Sequence, residues 1–177
     1  MKLAVLTYGT EGDARPLAAL CRALDDAGHA SVLLADATTL GAAERLGVRS
    51  LALAGDIRQA LGGVIAQGDK PAAAAKALAD IANANATPWL RQTVEAAQGC
   101  DAIVCAGLAA FVGLSAAEAL GVPAIGAGMF PLTPTAAFAS PFLPPARVPR
   151  FLNRASHWPH TAALAGQSAG RGSRLGE

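Results

Sequence analysis

Charged residues and cysteines are scarce in this sequence, and each shortage excludes a class of function. Charged residues make up 15% of the 177 residues, and 14 Lys and Arg against 13 Asp and Glu leave a formal net charge of +1. So balanced a charge provides no bulk attraction for nucleic acid, and we expect no nucleic-acid partner. The three cysteines, Cys21, Cys100 and Cys105, form no CxxC pair and have no histidine cluster beside them. We therefore expect reduced, packed thiols and no metal site.

The sequence also lacks a hydrophobic run long enough to cross a bilayer. The longest apolar stretch, residues 102–117, contains Gly107, Gly113 and Ser115, and it falls short of the roughly 20 residues that a transmembrane helix needs. The N-terminus has a single lysine and a very short apolar segment, without the long core or the cleavage site of a signal peptide. We expect a cytoplasmic protein with no transmembrane segment.

Apolar residues, in contrast, are abundant at 53%, which at this length is typical of one domain with a full core. Five short apolar runs alternate with helical patterns. Runs this short and this apolar are typical of strands buried on both faces of a parallel sheet. We predict an α/β fold, a Rossmann-like doubly wound parallel sheet with helices on both faces. The predicted strands are residues 2–6, 31–35, 48–53, 102–106 and 122–126.

Two parts of the helical pattern are irregular. Residues 55–70 indicate a helix interrupted by a glycine pair, and we expect a mobile segment that overhangs a ligand cleft. Residues 71–86 favour one helix, and Thr87 with Pro88 favours the start of another. Threonine is a good helix cap, and proline suits the first helical turn.

The loop after the first predicted strand carries the candidate chemistry. Gly9 and Gly12 permit close backbone approach, Thr10 can cap the next helix, and Asp13 stands near the start of that helix. Such a loop lies at the carboxyl end of a parallel strand, where open α/β sheets bind ligands. The third glycine of a dinucleotide fingerprint and the Lys–Ser or Lys–Thr pair of a phosphate loop are missing. Asp13 is consistent both with a general base and with a helix cap.

Several segments, taken in order and with their spacing, carry a family resemblance. They are residues 7–13, 15–16, 28–29, 101–104, 107–108, 118–123 and 131–135, with Pro141. Together they resemble the N-terminal, acceptor-binding domain of GT-B fold glycosyltransferases, of the glycosyltransferase family 28 type at its sterol, macrolide and glycopeptide end. The resemblance covers residues 2 to about 153. We therefore predict one domain over residues 1–153 and a disordered or truncated tail over residues 154–177.

The resemblance implies a site at the carboxyl edge of the sheet. Asp13 matches the family's acidic residue that takes the proton of the acceptor hydroxyl, so it becomes the candidate catalytic base. The implied acceptor is apolar, such as a sterol, polyketide, glycopeptide or lipid, because the lining residues are largely apolar. The implied acceptor-binding residues are Gly9, Thr10, Gly12, Gly107, Leu108, Phe111, Met129, Phe130, Thr133 and Thr135.

The resemblance also implies a donor domain that these residues do not contain. GT-B enzymes bind the nucleotide-sugar mainly through a second Rossmann-like domain. We therefore expect a UDP- or dTDP-sugar as co-substrate of the complete enzyme, and no cofactor bound by this chain itself. A separate donor-domain chain, or self-association, is expected, and the chain alone should transfer little or no hexose.

Two other functions stay open on the sequence. The same fold could serve as a non-catalytic module that binds a small molecule or a partner chain. A nucleotide-binding oxidoreductase is the third hypothesis, because Asp36 ends the second predicted strand, where a ribose-binding acid would lie. The missing third glycine argues against it.

Overall fold

Five parallel strands and six α-helices form the part of the chain that the computed structural model describes, namely residues 1–65, 71–129, 133–141, 143 and 148–158. The strands are β1 (Lys2–Leu6), β2 (Ala30–Asp36), β3 (Ser50–Leu53), β4 (Ala102–Cys105) and β5 (Ala124–Gly126). The helices are α1 (Glu11–Asp26), α2 (Gly41–Arg45), α3 (Ile57–Ile65), α4 (Pro71–Ala96), α5 (Ala110–Leu120) and α6 (Asn153–Ser156). Short 3-10 turns occupy Ala37–Thr39, Gly107–Ala109 and Arg150–Leu152. Contacts divide the chain into two units, Met1–Met129 and the residues from Phe130 onward.

The strands form one sheet in the order β3-β2-β1-β4-β5, and every pair is parallel. Leu6, at the end of the central strand β1, lies in register with Leu34 on one side and Cys105 on the other. Strand order reverses between β1 and β4, so this edge holds the switch point where open α/β sheets bind ligands. The arrangement confirms the predicted fold class.

Apolar side chains cover both faces of the sheet. On one face Leu6 and Leu34 pack with Trp89 and other residues of α3, α4 and α5. On the other face Val5 and Leu33 pack with the inner sides of α1 and α2. Two-sided burial explains why the strand runs are continuous rather than alternating in polarity.

The cysteines are free thiols, two of them buried. Burial raises the pKa of the Cys21 and Cys105 thiols above the ordinary value, which favours the neutral form. Within the described ranges no cluster of His, Cys, Asp and Glu could hold a metal ion. Nor does any helix in those ranges combine the length and hydropathy needed to cross a membrane.

Helix α4 corrects one prediction, because it runs unbroken through Thr87 and Pro88 where a second helix was expected to start. An internal proline costs roughly 3 kcal/mol through its missing N–H and its clash with the preceding turn. Contacts just beyond the proline offset that cost. The fully buried Trp89 donates from Nε1 to the carbonyl of Ala54 (2.6 Å), and the Gln92 amide bridges the neighbouring backbone.

Helix α3 corrects a second prediction, because it continues through the glycine pair that was expected to interrupt it. Its start is held by two carboxylates. Asp56 accepts a hydrogen bond from the N–H of Gln59 (2.9 Å), and Asp36 accepts one from the N–H of Ile57 (2.8 Å). The rest of the segment predicted to be mobile, residues 66–70, lies outside the described residues.

In the second unit, the loop after β5 is tied to the segment around α6. Ser156 Oγ accepts from the N–H of Ser140 (2.8 Å), and Asn153 Nδ2 donates to the carbonyl of Ala136 (3.0 Å). The boundary predicted at residue 153 stays a prediction, and residues 159–177 lie outside the described residues.

Candidate functional site

A cleft of about 310 Å³ opens at the carboxyl edge of the sheet, beside β1, β2 and β3. Isoleucine and leucine side chains of α3 provide its apolar surface, two threonines provide hydroxyl groups, and one acidic and one basic side chain complete it. The size is at the lower end of the range for sites that bind small molecules. Its lining residues are Thr10, Glu11, Thr39, Ile57, Arg58 and Leu61.

The half-buried Asp13 side chain folds back over the start of α1. Thr10 is the N-cap residue, with extended backbone, and its N–H donates to Asp13 Oδ2 over 2.8 Å. The Thr10 hydroxyl lies 3.4 Å from the same carboxylate oxygen. Asp13 therefore supplies one half of a capping box. Its other oxygen, Oδ1, accepts no hydrogen bond from any described residue, so Asp13 can cap the helix and still offer an acceptor.

Glycines shape the backbone around Asp13. A Cβ on Gly9 would collide with the Asp13 carboxylate, so this position has no room for a side chain. Gly12 differs, because a Cβ there would meet only the Thr10 hydroxyl, at 3.6 Å. Gly107 has a φ of +60° and contacts the loop after β1 closely, since a Cβ at this position would lie 2.7 Å from the Tyr8 carbonyl oxygen.

The structure brings some predicted site residues together and leaves others apart. Gly9, Thr10, Gly12 and Asp13 share the β1–α1 loop and the first turn of α1, and the Leu108 N–H donates to the Tyr8 carbonyl (2.9 Å), which joins the loop after β4 to it. Leu108 itself packs against the apolar core. The roles predicted for the remaining residues stay predictions. Phe111 is half-buried on α5, and Met129 and Thr133 are exposed. Thr135 accepts from the Ala137 N–H within the second unit, and Phe130 lies outside the described residues.

Asp36 is fully buried at the end of β2, and its oxygens are occupied by the protein itself. Oδ1 accepts from the Thr38 N–H (2.8 Å) and hydroxyl (2.5 Å), and Oδ2 accepts from the Ile57 N–H (2.8 Å). Burial by itself would raise the pKa of Asp36. These hydrogen bonds and the nearby Tyr8 hydroxyl outweigh burial and hold that pKa below its ordinary value. A carboxylate so committed cannot bind a ribose, which removes the observation behind the oxidoreductase hypothesis.

Tyr8 was not among the predicted site residues. It lies two residues before Thr10, which lines the cleft. It is fully buried, and its ring lies on Trp89 with 4.3 Å between ring centroids. Burial and the neighbouring Asp36 raise the pKa of the phenol well above its ordinary value of about 10, so Tyr8 is neutral. Its hydroxyl faces Asp36 but makes no hydrogen bond of good geometry with the described residues. In the sequence, the feature that could have pointed to Tyr8 is that it is the one tyrosine of the chain and lies two residues after the first predicted strand.

Solved structures with this fold include several glycosyltransferases. CalG4, the calicheamicin glycosyltransferase, aligns over 95% of this chain with a TM-score of 0.54 and 14% identity. The Streptomyces sp. SF2575 glycosyltransferase SsfS6, in complex with thymidine diphosphate, aligns over 72% with a TM-score of 0.54 and 18% identity. The fold is that of a GT-B glycosyltransferase N-terminal domain. This finding confirms, for the fold, the resemblance seen in the sequence segments.

A curated relative extends the likeness of this GT-B domain to sequence. The sterol 3-beta-glucosyltransferase of Neurospora crassa is 30% identical over 149 residues, which is 82% of this chain. No family model matches the chain. The chain spans 9% of the Neurospora protein, 42% of CalG4 and 38% of SsfS6. The activities of those whole proteins therefore apply to this chain only as a proposal.

Proposed function

We propose that this chain is the acceptor-binding domain of a glycosyltransferase that moves a hexose from a nucleotide-sugar to a hydroxyl of an apolar acceptor. The observation that carries the proposal is the apolar cleft beside the β1–α1 loop, together with Asp13 of α1, whose Oδ1 accepts no hydrogen bond from any described residue. Thr10 links the two features, because it lines the cleft and its N–H holds Asp13 Oδ2. The fold, and the sterol-modifying relative of similar sequence, support the same class.

The cleft lining suits an acceptor with an apolar body and a hydroxyl group. Ile57 and Leu61 offer apolar contact, whereas Thr10 and Thr39 can each donate or accept one hydrogen bond. Glu11 and Arg58 face each other at 3.7 Å, so their charges are largely balanced for a neutral ligand. We propose sterols, polyketides, glycopeptides or lipids as the acceptor classes.

Asp13 would act as the general base. Its Oδ1 accepts the proton of the acceptor hydroxyl while the hydroxyl oxygen bonds to the anomeric carbon of the sugar. The bond from that carbon to the nucleotide diphosphate breaks, and the nucleotide diphosphate leaves. The Thr10 N–H, by holding Oδ2, keeps the carboxylate in one orientation for this step.

The donor in this proposal is a UDP- or dTDP-sugar. Thymidine diphosphate in the SsfS6 complex supports a nucleotide-sugar of this kind. A donor domain, on a longer form of the chain or on a separate chain, would bind the nucleotide. A separate donor chain and self-association are the partners that we propose.

Transfer assays on an Asp13→Asn variant test the proposal. The chain, with and without the product of a neighbouring gene, is given UDP-glucose or dTDP-glucose and a panel of acceptors that includes cholesterol. We expect the variant to bind acceptor as the wild type does and to lose transfer by roughly 10²-fold or more, the scale of a lost general base.

Asp26→Asn is the matched control, because Asp26 is on the same helix, is exposed, and pairs with the exposed Arg22. Unchanged transfer in Asp13→Asn would remove Asp13 from the mechanism. Acceptor binding without transfer in every combination would favour the non-catalytic binding module instead. No binding of any acceptor would overturn the proposal as a whole.

A further inference from the structure

Asp36 is the only buried acidic residue in the part of the chain that the structure describes, and the proposed reaction does not use it. Its two oxygens collect three hydrogen bonds from two different elements of the cleft. Oδ1 binds the Thr38 N–H and hydroxyl, and Oδ2 binds the Ile57 N–H. Hydrogen bonds that join a charged group to neutral donors are among the stronger ones in proteins.

Each of the two elements that Asp36 holds contributes to the cleft wall. Thr39 follows Thr38 in the turn after β2, and its hydroxyl also donates to the Asp36 carbonyl (2.9 Å). Ile57 is the first residue of α3, whose first turns supply three of the six lining residues. The Asp36 side chain therefore joins the turn to α3, and the Arg58 guanidinium adds a second link by donating to the Thr38 carbonyl (3.1 Å).

The third lining element, the loop after β1, approaches the same carboxylate. Tyr8 precedes Gly9 and Thr10 and directs its hydroxyl toward Asp36. A Cβ on Gly55, just before α3, would lie 2.6 Å from that hydroxyl, so the loop and the approach to α3 touch here. All three walls of the cleft meet around Asp36.

We propose that Asp36 is a positioning residue of the acceptor cleft: its carboxylate holds the Ala37–Thr39 turn and the start of α3 at the separation that an acceptor requires. The inference rests on the proposed function. It assigns Asp36 no contact with substrate, because the side chain has no exposed surface.

A carboxylate is needed here because each of its oxygens faces a backbone N–H, of Thr38 or of Ile57, which can only donate. Asparagine has the same shape but only one acceptor oxygen, and its NH₂ group would face either the Thr38 donors or the Ile57 N–H. Either the Thr38 N–H or the Ile57 N–H would lose its acceptor and would face the NH₂ group, which is also a donor. Asp36→Asn should therefore release one wall of the cleft with little change in core volume.

Asp25 offers a matched control in the same chain. Its Oδ1 accepts from the N–H and hydroxyl of Ser31, both at 2.9 Å, which repeats the pattern of Asp36 with Thr38. Ser31 lies at the amino end of β2, opposite the cleft edge. Asp25→Asn therefore neutralises a carboxylate with a similar pattern of contacts away from the cleft, and the oxygen that asparagine retains can still accept from Ser31.

The first measurement is amide hydrogen exchange on the ligand-free chain. In Asp36→Asn we expect exchange of the Ile57 or Thr38 amide to accelerate about tenfold or more, as for loss of one hydrogen bond worth about 1.4 kcal/mol. Asp25→Asn should leave both amides unchanged. Unchanged exchange in Asp36→Asn would overturn the proposal. If Asp36→Asn does not fold, Thr38→Val serves as a milder variant, because it removes only the hydroxyl that donates to Asp36. Exchange of the same amides is then measured in that variant.

The second measurement is equilibrium binding of the fluorescent sterol dehydroergosterol. We expect Asp36→Asn to weaken binding about tenfold, and Asp25→Asn to bind as the wild type does. In transfer assays the acceptor KM should rise in Asp36→Asn while kcat stays within about threefold. Equal losses of affinity in the two variants would overturn the positioning role. A wild-type chain that binds no acceptor would contradict the proposed function. The exchange data would then test by themselves whether Asp36 holds the start of α3 in place.

Discussion

Gly9 and Asp13 form one local unit, since the carboxylate of the second lies directly over the backbone of the first. On sequence alone, Asp13 is consistent both with a helix cap and with a general base. The geometry allows both roles, because capping uses Oδ2, and Oδ1 accepts no hydrogen bond from any described residue. The role as base stays a prediction that transfer assays must test.

Substitution of the two glycines of this loop should have opposite effects. Gly9→Ala would drive its methyl group into the Asp13 carboxylate and break the bond to the Thr10 N–H. We expect a loss of about 1–2 kcal/mol in the free energy of unfolding, the cost of a lost cap. Gly12→Ala has room within α1 and should gain about 0.5–1 kcal/mol. Urea denaturation of both variants measures the difference, and equal effects would contradict this account of the loop.

Tyr8 should make the fold sensitive to alkaline pH. Its pKa is raised in the folded state, so its contribution to stability is complete below the unfolded value of about 10 and falls as pH rises beyond it. Tyr8→Phe removes this contribution and also removes a hydroxyl that makes no hydrogen bond of good geometry with the described residues. We expect the variant to match the wild type at neutral pH and to exceed it in stability above about pH 10.

Denaturation midpoints across pH for the wild type and Tyr8→Phe provide the measurement. All other titratable groups are the same in the two proteins, so their contribution cancels in the difference. Because the chain has one tyrosine, tyrosinate absorbance reports Tyr8 alone. Ionisation of the folded protein at about pH 10 would refute the buried, Asp36-facing phenol.

At the scale of elements, α4 shows how tertiary contacts override a local signal. Thr87 and Pro88 carry the typical signature of a helix start, yet the helix continues through them. Trp89 and Gln92 bind the backbone of Ala52 and Ala54 at the end of β3, so the helix is held in place just after the proline. Local sequence contains no information about these partners, which lie more than 30 residues earlier in the chain.

Pro88→Ala should therefore stabilise the protein. The substitution restores an N–H within α4 and removes the clash of the proline ring with the preceding turn. Greater freedom of the unfolded chain offsets part of the gain. We expect an increase of about 1–2 kcal/mol in the free energy of unfolding, measured by urea denaturation. A loss of stability would mean that the proline shapes α4 in a way that its contacts require.

At the scale of the whole molecule, the sheet places chemistry from distant segments at one edge. The residues that line the cleft come from the loops after β1, β2 and β3, and only parallel strands bring those loops to the same end. The sequence patterns predicted a site at that edge and in the β1 loop, and the roles of its residues stay predictions. They gave Asp36 no structural role and predicted a helix interrupted by a glycine pair, in a mobile segment, where α3 lies, because side-chain burial depends on neighbours that local patterns do not specify.

The order of short apolar runs and glycine-ended helices by itself determined the doubly wound parallel sheet, because runs buried on both faces have few other stable arrangements. The segments around residues 7–16 and 101–123 likewise carried the likeness to GT-B domains. The tertiary structure alone decided that α4 is continuous, that Asp13 Oδ1 accepts no hydrogen bond from any described residue, and that Asp36 joins the walls of the cleft. The first and the third of these features depend on hydrogen bonds between residues far apart in sequence, and such pairs form only once the sheet has brought the strand ends together.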